Sequence, residues 1–421
     1  MTEVAWRIEG GTPLRGTVRP SGSKNGSLPL LAASLLLDGQ STLTNIPRIA
    51  DVETMLALLR AFGLTVEDRP GGEVHITNNG LSTHLAPAHL VGRMRASHYL
   101  LGPVLLHRGR VEMAMPGGCD LGARPVTHIT SVLEALGATA ETNDTIHLSA
   151  EGLRGAVVTL DPWHRNPGAT FTGLMAGALA AGETTIENAS FEPDVIGFCR
   201  FLSAAGARIT GIGTSTLTIQ GVDRLHGATH RVNSDRLEAG TFLCAAAATR
   251  GDVLVEDITW DELGETADKL AQAGVELFAE GSALRARCPG RPRGVHIITD
   301  PFPSFSTDLQ PPVAAVLATA DGDSTIRETV FDRRLRYADE LMKMGADIEL
   351  RDSRFAVIHG VPSLRGARIA AGNIRDGAAL VIAALGAQGQ SLVAGRNYVA
   401  RGYEDFETKL RSLGAEIELA G

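Results

Sequence analysis

Residues 410–419 read Leu-Arg-Ser-Leu-Gly-Ala-Glu-Ile-Glu-Leu, a helix-like run that ends at a glycine and continues into alternating polar and apolar residues. The alternation after Gly414 has the period of two that is typical of a strand with one buried face. Gly414 lies between the two patterns, so it predicts a helix that ends in a left-handed glycine. The stretch therefore predicts a helix, a sharp turn and a strand.

The same pattern recurs along the whole chain at intervals of about 70 residues, which indicates a structural repeat. The marker glycines are Gly63, Gly137, Gly206, Gly274, Gly345 and Gly414. Upstream of each marker, an apolar Ala/Leu-rich helix is expected to end near a further glycine, and a short β-like run follows it. These further glycines are Gly39, Gly109, Gly182, Gly251, Gly322 and Gly389. Six such units predict an α/β protein with two domains of three units, and a cleft between paired domains is a common ligand site.

Composition limits the class of protein. The chain has 421 residues and a net charge of -9, which argues against broad nucleic-acid binding because that usually needs a basic face. We find no apolar signal segment or membrane-length run, so a cytoplasmic protein without membrane contact is expected. The four cysteines are far apart and lack metal-ligand spacing, so we expect neither disulfides nor zinc. Cys199 and Cys244 lie in apolar stretches and are predicted to be inert core residues.

Three glycine-containing segments carry cations. They are residues 21–25 (Ser-Gly-Ser-Lys-Asn), residues 116–125 (Pro-Gly-Gly-Cys-Asp-Leu-Gly-Ala-Arg-Pro) and residues 401–404 (Arg-Gly-Tyr-Glu). Glycine lets the backbone approach a ligand closely, and Lys and Arg make charge-assisted hydrogen bonds to phosphate and carboxylate. The segments therefore indicate a site for a small, highly anionic substrate, with a cysteine in it. The first segment lacks the order of a phosphate-binding P-loop, which excludes the obvious NTPase interpretation.

With further motifs in the same order along the chain, these segments resemble the enolpyruvyl transferases. The further motifs are residues 94–97 (Met-Arg-Ala-Ser), 234–236 (Ser-Asp-Arg), 240–242 (Gly-Thr-Phe), 306–310 (Ser-Thr-Asp-Leu-Gln) and 328–331 (Glu-Thr-Val-Phe). The chain is more similar to the branch that uses UDP-N-acetylglucosamine than to the shikimate-pathway branch, which lacks the loop cysteine. The resemblance covers nearly the whole chain.

The resemblance implies a fold of two inside-out α/β barrel domains built from six βαβαββ repeats, three in each domain. The N-terminal domain would span residues 22–232. The C-terminal domain would combine residues 1–21 with 233–421, and the active site would lie in the interdomain cleft.

The resemblance also implies the reaction, in which the enolpyruvyl group of phosphoenolpyruvate moves to an acceptor hydroxyl and phosphate is released by addition and elimination. Lys24, Arg124 and Arg401 match the cations around phosphoenolpyruvate, and Lys24 also counts as catalytic. Cys119 matches the general acid, and Asp308 matches the carboxylate that handles the acceptor hydroxyl. No metal or organic cofactor is expected.

The departures from the family pattern fall on the acceptor side. The family follows its arginine-proline pair with an aspartate and a histidine, where this chain has Thr127 and, two residues later, Ile129. The family's Ser-Val-Gly-Ala-Thr loop becomes Asn-Pro-Gly-Ala-Thr at residues 166–170, and its late Asp-Leu-Arg-Ala-Gly becomes Asn-Ile-Arg-Asp-Gly at residues 373–377. The predicted acceptor-binding residues are Asn25, Arg95, Thr127, His128, Arg165, Asn166 and Val330.

The acceptor itself stays open at this point. One alternative is the 3-hydroxyl of UDP-N-acetylglucosamine, in peptidoglycan synthesis. The other is a different nucleotide hydroxyl, such as the 3'-hydroxyl of UMP, in nucleoside-antibiotic synthesis. A catalytically dead, ligand-binding paralogue is a third interpretation, against which the retained donor-side residues argue. The oligomeric state is also open, and a monomer is compatible with the sequence.

Overall fold

The computed structural model describes residues 4–118 and 125–420. The described residues form two compact units. The N-terminal unit comprises residues 22–118 and 125–233, and the C-terminal unit comprises residues 4–21 and 234–420. The predictions for Cys119 and Arg124 lie outside the described residues.

The N-terminal unit contains three sheets among its described residues. In hydrogen-bonded order, their strands are Arg208–Thr210, Thr216–Gln220, Glu183–Glu187 and Val157–Thr159; Leu225–His226, Leu37–Thr44, Glu73–Asn78 and Thr65–Arg69, with Thr229–Arg231 also paired to Leu37–Thr44; and Arg110–Ala114, Thr145–Ser149 and Thr139–Thr142. The first sheet has one parallel pairing, at Val157–Thr159, and two antiparallel pairings. The second has two antiparallel pairings, and both Leu225–His226 and Thr229–Arg231 pair parallel to Leu37–Thr44.

The C-terminal unit contains three four-stranded sheets among its described residues, and each has one parallel pairing at an edge and two antiparallel pairings. In order, their strands are Arg368–Ala370, Gln390–Ala394, Ala5–Glu9 and Glu416–Ala420; Glu276–Glu280, Ala283–Arg287, Asp252–Val255 and Arg15–Val18; and His296–Ile298, Asp323–Arg327, Phe355–His359 and Asp347–Asp352. Parallel neighbouring strands need a long crossover connection, usually a helix, whereas antiparallel neighbours can be joined by a short turn.

Helices alternate with these strands along the chain. The α-helices of the N-terminal unit are Lys24–Ala33, Ala50–Ala61, Ala88–Val91, Leu101–Arg108, Thr127–Ala135, Pro167–Leu179 and Pro193–Ala204. Those of the C-terminal unit are Arg236–Ala248, Trp260–Leu263, Glu265–Gln272, Gln310–Leu317, Tyr337–Lys343, Ile374–Gly386, Arg396–Val399 and Phe406–Ser412. Short 3-10 helices span Ser34–Leu36, Arg95–Leu100 and Arg334–Arg336. The mixed α/β class is therefore as predicted.

The local prediction at the marker glycines is confirmed. All six have φ between 89° and 104°, and each lies two residues after the end of a helix and two residues before the start of a strand. A residue with a Cβ would be strained in this left-handed conformation, which is why the repeat retains glycine there.

Three helices form the centre of the C-terminal unit: Arg236–Ala248, Gln310–Leu317 and Ile374–Gly386. They pack on one another, and almost every residue in them is buried. A helix that is apolar all round suits this fully enclosed position. Because their flanks are covered, these helices carry polar side chains mainly in and before their first turns, where Asp235, Asp308 and Arg375 lie.

The predicted core cysteines are confirmed, since Cys199 and Cys244 are both fully buried. Burial raises the pKa of Cys199 to about 12 and also raises that of Cys244. Among the described residues, no helix is both long and apolar enough to cross a membrane.

Candidate functional site

Lys24 and Asn25 open the helix Lys24–Ala33, directly after its N-cap residue Ser23. The Ser23 hydroxyl accepts a hydrogen bond from the backbone N–H of Gly26 at 3.1 Å. Lys24 and Asn25 are half-buried, whereas the rest of this helix is buried. The N–H groups of a helix start and a lysine ammonium both favour a bound anion.

The Lys24 ammonium is held by a buried carboxylate. Its Nζ lies 2.7 Å from Oδ2 of Asp51, and the two side chains are only 13% and 6% exposed. A lysine at a helix N-terminus is disfavoured by about 0.3–1 kcal/mol, and the ion pair offsets that cost. The pair therefore fixes the ammonium in position before any ligand binds, as electrostatic catalysis requires.

Arg95 lies beside the described start of the cysteine segment. A Cβ on Gly118 would lie 3.1 Å from the backbone nitrogen of Arg95, and one on Gly117 would lie 1.8 Å from the carbonyl oxygen of Gly92. Only glycine fits such an approach of two backbones. The backbone carbonyl of Arg95 accepts a hydrogen bond from His98 Nδ1 at 2.6 Å. The chain that leads to Cys119 thus runs against the start of the 3-10 helix Arg95–Leu100.

Four other predicted acceptor residues of the N-terminal unit, Thr127, His128, Arg165 and Asn166, lie at or just before the starts of two helices that pack on each other. Thr127 and His128 are exposed in the first turn of Thr127–Ala135. Asn166 caps Pro167–Leu179 by accepting a hydrogen bond from the N–H of Ala169 at 3.2 Å. The guanidinium carbon of Arg165 lies 5.3 Å from the centre of the Phe191 ring.

In the C-terminal unit, Asp308 is bonded to two buried arginines. Its Oδ1 accepts a hydrogen bond from Nη2 of Arg334, and its Oδ2 accepts one from Nε of Arg375 at 3.2 Å. The guanidinium side chains are 1% and 6% exposed, whereas the Asp308 side chain is 27% exposed. Buried charges require partners, so the arginines fix the carboxylate while part of its surface remains open to a ligand.

Val330 and Asp308 are linked through a second buried carboxylate, that of Glu328. Glu328 is 1% exposed and accepts hydrogen bonds from the Thr307 hydroxyl at 3.0 Å and from the Val330 N–H at 2.8 Å. The Thr307 carbonyl in turn accepts a hydrogen bond from Nε of Arg334 at 3.1 Å. The structure therefore brings the motifs around Asp308 and Val330 into one hydrogen-bonded network.

Arg401 is half-buried in the turn after the helix Arg396–Val399, and its N–H donates to the carbonyl of Tyr398 at 3.2 Å. The ring of Tyr403, two residues later, lies 5.3 Å from the guanidinium carbon of Arg375. Burial raises the pKa of Tyr403, so its phenol stays protonated near neutral pH. Through Tyr403 and Arg375, the Arg401 turn is connected to Asp308.

Asp376 is a further acidic group beside this network. It is 3% exposed, and its N–H donates to the Asn373 side chain at 3.0 Å in the first turn of Ile374–Gly386. Burial raises the pKa of Asp376 to about 7, although the positive charge of Arg334 lowers it in part. Asp376 is therefore poised to change its charge near neutral pH.

Sequence reasoning missed Asp51, Arg334 and Arg375 as partners of the predicted residues. Arg375 was visible only as part of a divergent motif, and Asp51 and Arg334 lie outside the motifs. The roles of Lys24, Asn25, Arg95, Asp308 and Arg401 stay predictions, although the structure gives each a defined position.

The sheets of the two units repeat one arrangement of strand pairings, the N-terminal unit carries a positioned lysine, and the C-terminal unit carries a carboxylate held by two arginines. A family model described as EPSP synthase (3-phosphoshikimate 1-carboxyvinyltransferase) matches residues 8–410, and the chain belongs to this family. The resemblance to enolpyruvyl transferases, and with it the assignment to an enzyme family, is confirmed.

Curated relatives match this chain over nearly their whole length. A UDP-N-acetylglucosamine 1-carboxyvinyltransferase of Zymomonas mobilis is 41% identical, covering 99% of each chain. A UDP-N-acetylglucosamine 1-carboxyvinyltransferase 2 of Carboxydothermus hydrogenoformans is 44% identical, covering 98% of each chain. Among solved structures, the enolpyruvyl transferase NikO from Streptomyces tendae has a TM-score of 0.90 and 26% identity, covering 99% of each chain.

Proposed function

We propose that the protein transfers the enolpyruvyl group of phosphoenolpyruvate to the 3-hydroxyl of UDP-N-acetylglucosamine and releases phosphate. The observation that carries this proposal is the Asp308 carboxylate, clamped by two buried guanidinium groups and still partly exposed. Relatives with the corresponding name are 41% and 44% identical over nearly the whole chain. The protein would thus act in peptidoglycan synthesis, in the cytoplasm.

Lys24, Arg124 and Arg401 are proposed to bind the phosphate and carboxylate of phosphoenolpyruvate. The Lys24 ammonium is preorganised by Asp51 at 2.7 Å. Fixed cations of this kind stabilise the negative charge that accumulates on a departing phosphate.

The chemical steps divide between an acid and a carboxylate. Cys119 gives a proton to the methylene carbon of phosphoenolpyruvate, and the acceptor hydroxyl oxygen bonds to the adjacent carbon while its proton passes to Asp308. The Cys119 thiolate then takes a proton back from the new methyl group while the tetrahedral ketal expels inorganic phosphate, which restores the carbon–carbon double bond, and Asp308 loses its proton as phosphate leaves. Asn25 and Arg95 assist in holding the acceptor, and Val330 contributes its backbone segment.

We also propose that each unit is an inside-out α/β barrel domain of three βαβαββ repeats. The support is the recurring order of one parallel and two antiparallel strand pairings. The marker glycine in every repeat supports the same interpretation.

A second acceptor has specific support from the acceptor-side departures. Thr127 and His128 are exposed at a helix start where the family has a different pattern. A smaller nucleotide, with a hydroxyl such as the 3'-hydroxyl of UMP, would leave the distal contacts of a nucleotide sugar unused.

An acceptor screen tests both alternatives. Phosphate release from phosphoenolpyruvate would be measured with UDP-N-acetylglucosamine, UMP, UDP and shikimate 3-phosphate. Efficient turnover of UDP-N-acetylglucosamine with none of UMP is the expected result. Turnover of UMP alone would replace the first acceptor by the second, and release with neither would overturn the proposed function.

A further inference from the structure

Two short motifs that lie far apart in the sequence, residues 240–242 and residues 401–404, meet inside the C-terminal unit. The Thr241 hydroxyl and the Tyr403 phenol are hydrogen-bonded at 2.9 Å, across 162 positions of sequence. The two residues are 0% and 2% exposed. Neither side chain takes part in the chemical steps proposed above, so the bond between them points to a different role.

The direction of this hydrogen bond follows from the other bond of the Thr241 hydroxyl. That hydroxyl lies 2.7 Å from the carbonyl oxygen of Leu237, one turn earlier in the helix Arg236–Ala248. A carbonyl only accepts, and threonine has one hydroxyl proton, so Thr241 donates to Leu237 and accepts from Tyr403. The phenol proton is thus directed to Thr241, and the phenol oxygen keeps its lone pairs for another donor.

The Arg375 guanidinium lies against the same phenol. Its central carbon is 5.3 Å from the centre of the Tyr403 ring. Burial raises the pKa of Tyr403, and the positive charge of Arg375 lowers it in part. A cation is attracted both by the face of an aromatic ring and by the lone pairs of a phenol oxygen. Because Nε of Arg375 donates to Oδ2 of Asp308 at 3.2 Å, the guanidinium is held between a phenol and a carboxylate.

The Tyr403 ring is itself fixed by its surroundings. It packs on Phe406 with the ring centres 4.8 Å apart, and Phe406 packs in turn on Phe242 at 5.9 Å. The Tyr403 N–H donates to the carbonyl of Val399 at 3.0 Å. An arginine side chain has several rotatable bonds, so a rigid neighbour of this kind can set the direction in which the Arg375 guanidinium points.

We propose that the hydrogen-bonded pair Tyr403–Thr241 positions Arg375. The pair holds the guanidinium against Asp308 and thereby keeps the carboxylate oriented toward the acceptor hydroxyl. Both members act through Arg375 rather than on the substrate. This inference rests on the proposed function, because it takes Asp308 to be the group that receives the hydroxyl proton. Displacing a reacting group by about 1 Å can lower a rate about 10²-fold, so a lost hold on Arg375 should be visible in kcat.

Steady-state kinetics on variants of the full-length protein tests the pair. Phosphate release would be measured with phosphoenolpyruvate and UDP-N-acetylglucosamine, or with UMP if only UMP is turned over. Tyr403→Phe keeps the ring but loses the hydroxyl, and it should lower kcat by about 10- to 100-fold. Thr241→Val should do the same, whereas Thr241→Ser keeps a hydroxyl and should retain kcat within about threefold. The KM of both substrates should change by less than about threefold, because the pair acts on the reacting carboxylate.

Thr249→Val is the matched control for Thr241→Val. Thr249 caps the end of the same helix, is 5% exposed and also donates to a carbonyl one turn earlier, that of Ala245 at 2.8 Å. Its other hydrogen-bonding partners are the backbone groups of Leu14 and Ala246. The two substitutions therefore remove the same kind of intrahelical bond, but Thr249→Val should leave kcat within about threefold of the wild type.

A double-mutant cycle shows whether Tyr403 acts through Arg375. In an Arg375→Lys background the planar guanidinium is already lost, so Tyr403→Phe should lower kcat by less than about threefold further. Fully additive effects would overturn the proposal. A kcat near that of the wild type in Tyr403→Phe or Thr241→Val would also overturn it, as would an equal loss in Thr241→Ser or Thr249→Val.

Urea unfolding separates a failure of this pair from a failure of the proposed function. If the wild type releases no phosphate with either acceptor, the proposed function fails, but the hold of Tyr403 on Arg375 is still measurable. A coupling of about threefold or more in the unfolding constant between Tyr403→Phe and Arg375→Lys would support that hold, and additive effects would overturn it. The same measurements establish that each variant is folded when its kcat is compared.

Discussion

Replacing Asp376 by asparagine should stabilise the protein at alkaline pH and have a smaller effect at acidic pH. Asp376 is 3% exposed in the first turn of the buried helix Ile374–Gly386, and burial raises its pKa from 3.8 to about 7. In the unfolded chain the carboxyl titrates near its ordinary value. The folded state therefore holds a proton that the unfolded state has lost between about pH 4 and pH 7, and stability falls as the pH rises through this window.

The size of the effect follows from the shift. A difference of about three pKa units between the folded and unfolded states lowers the free energy of unfolding by about 4 kcal/mol once Asp376 is ionised in both states, at ~1.4 kcal/mol per unit. Part of this stability is already lost at pH 5, because the unfolded chain is ionised there, so the free energy of unfolding falls by about a further 2.5 kcal/mol between pH 5 and pH 8. Asparagine resembles the neutral acid in shape and does not ionise. The free energy of unfolding of Asp376→Asn, minus that of the unchanged chain, should thus increase by about 2.5 kcal/mol over this pH range.

Urea unfolding at pH 5 and pH 8, followed by tryptophan fluorescence, measures this difference. A Trp163→Phe background suits the assay because the remaining residues, Trp6 and Trp260, both lie in the C-terminal unit with Asp376. Glu238 is also buried with a pKa raised to about 7, but it is present in both proteins and cancels from the comparison. A difference that stays constant from pH 5 to pH 8 would refute the reasoning, because it would mean that Asp376 does not titrate in the folded protein.

Three further predictions concern the reaction. Asp308→Ala should lower kcat by about 10²–10⁴-fold with little change in the KM for phosphoenolpyruvate, as expected for loss of a positioned acid–base group. A kcat within tenfold of the wild type would contradict that role. Fosfomycin, an epoxide phosphonate that mimics phosphoenolpyruvate, should alkylate Cys119, as peptide mapping would show. Cys199, Cys244 and Cys288 should not react, because they are buried and burial raises the pKa of each thiol. Labelling found only at those three would exclude Cys119 as the reactive thiol. Phosphate release should be unchanged by a chelator, because protein cations are expected to neutralise the substrate; activity abolished by chelation and restored by a divalent ion would show that a metal performs this role.

The sequence predicted those parts of the fold that depend on local chemistry. A glycine after a helix and alternating polarity after the glycine are set by neighbouring residues, so the six helix–glycine–strand steps could be predicted one by one. Lys24 and Arg401 became candidates for the same reason, because each lies in a short glycine-containing motif, and their roles stay predictions.

The partners of these residues could not be predicted because they come from distant segments. Arg334 is 26 positions from Asp308, and Arg375 is 67 positions from it. Which of the many arginines reaches a given carboxylate depends on how the buried helices pack, and no local pattern records this. The same applies to Asp51, which is an ordinary acidic residue of a helix start until the fold brings it to Lys24.

The strand Ala5–Glu9 lies between Gln390–Ala394 and Glu416–Ala420, so it pairs with two strands that are synthesised much later than itself. At about 5–20 residues per second, this strand waits roughly 20 to 80 seconds for its neighbours to be synthesised. The described residues of the N-terminal unit all lie between positions 22 and 233, so this unit can fold during that interval. The C-terminal unit cannot complete this sheet until Glu416–Ala420 has been synthesised, so ribosomes that stall before this strand should release chains with one finished unit and one exposed, aggregation-prone strand.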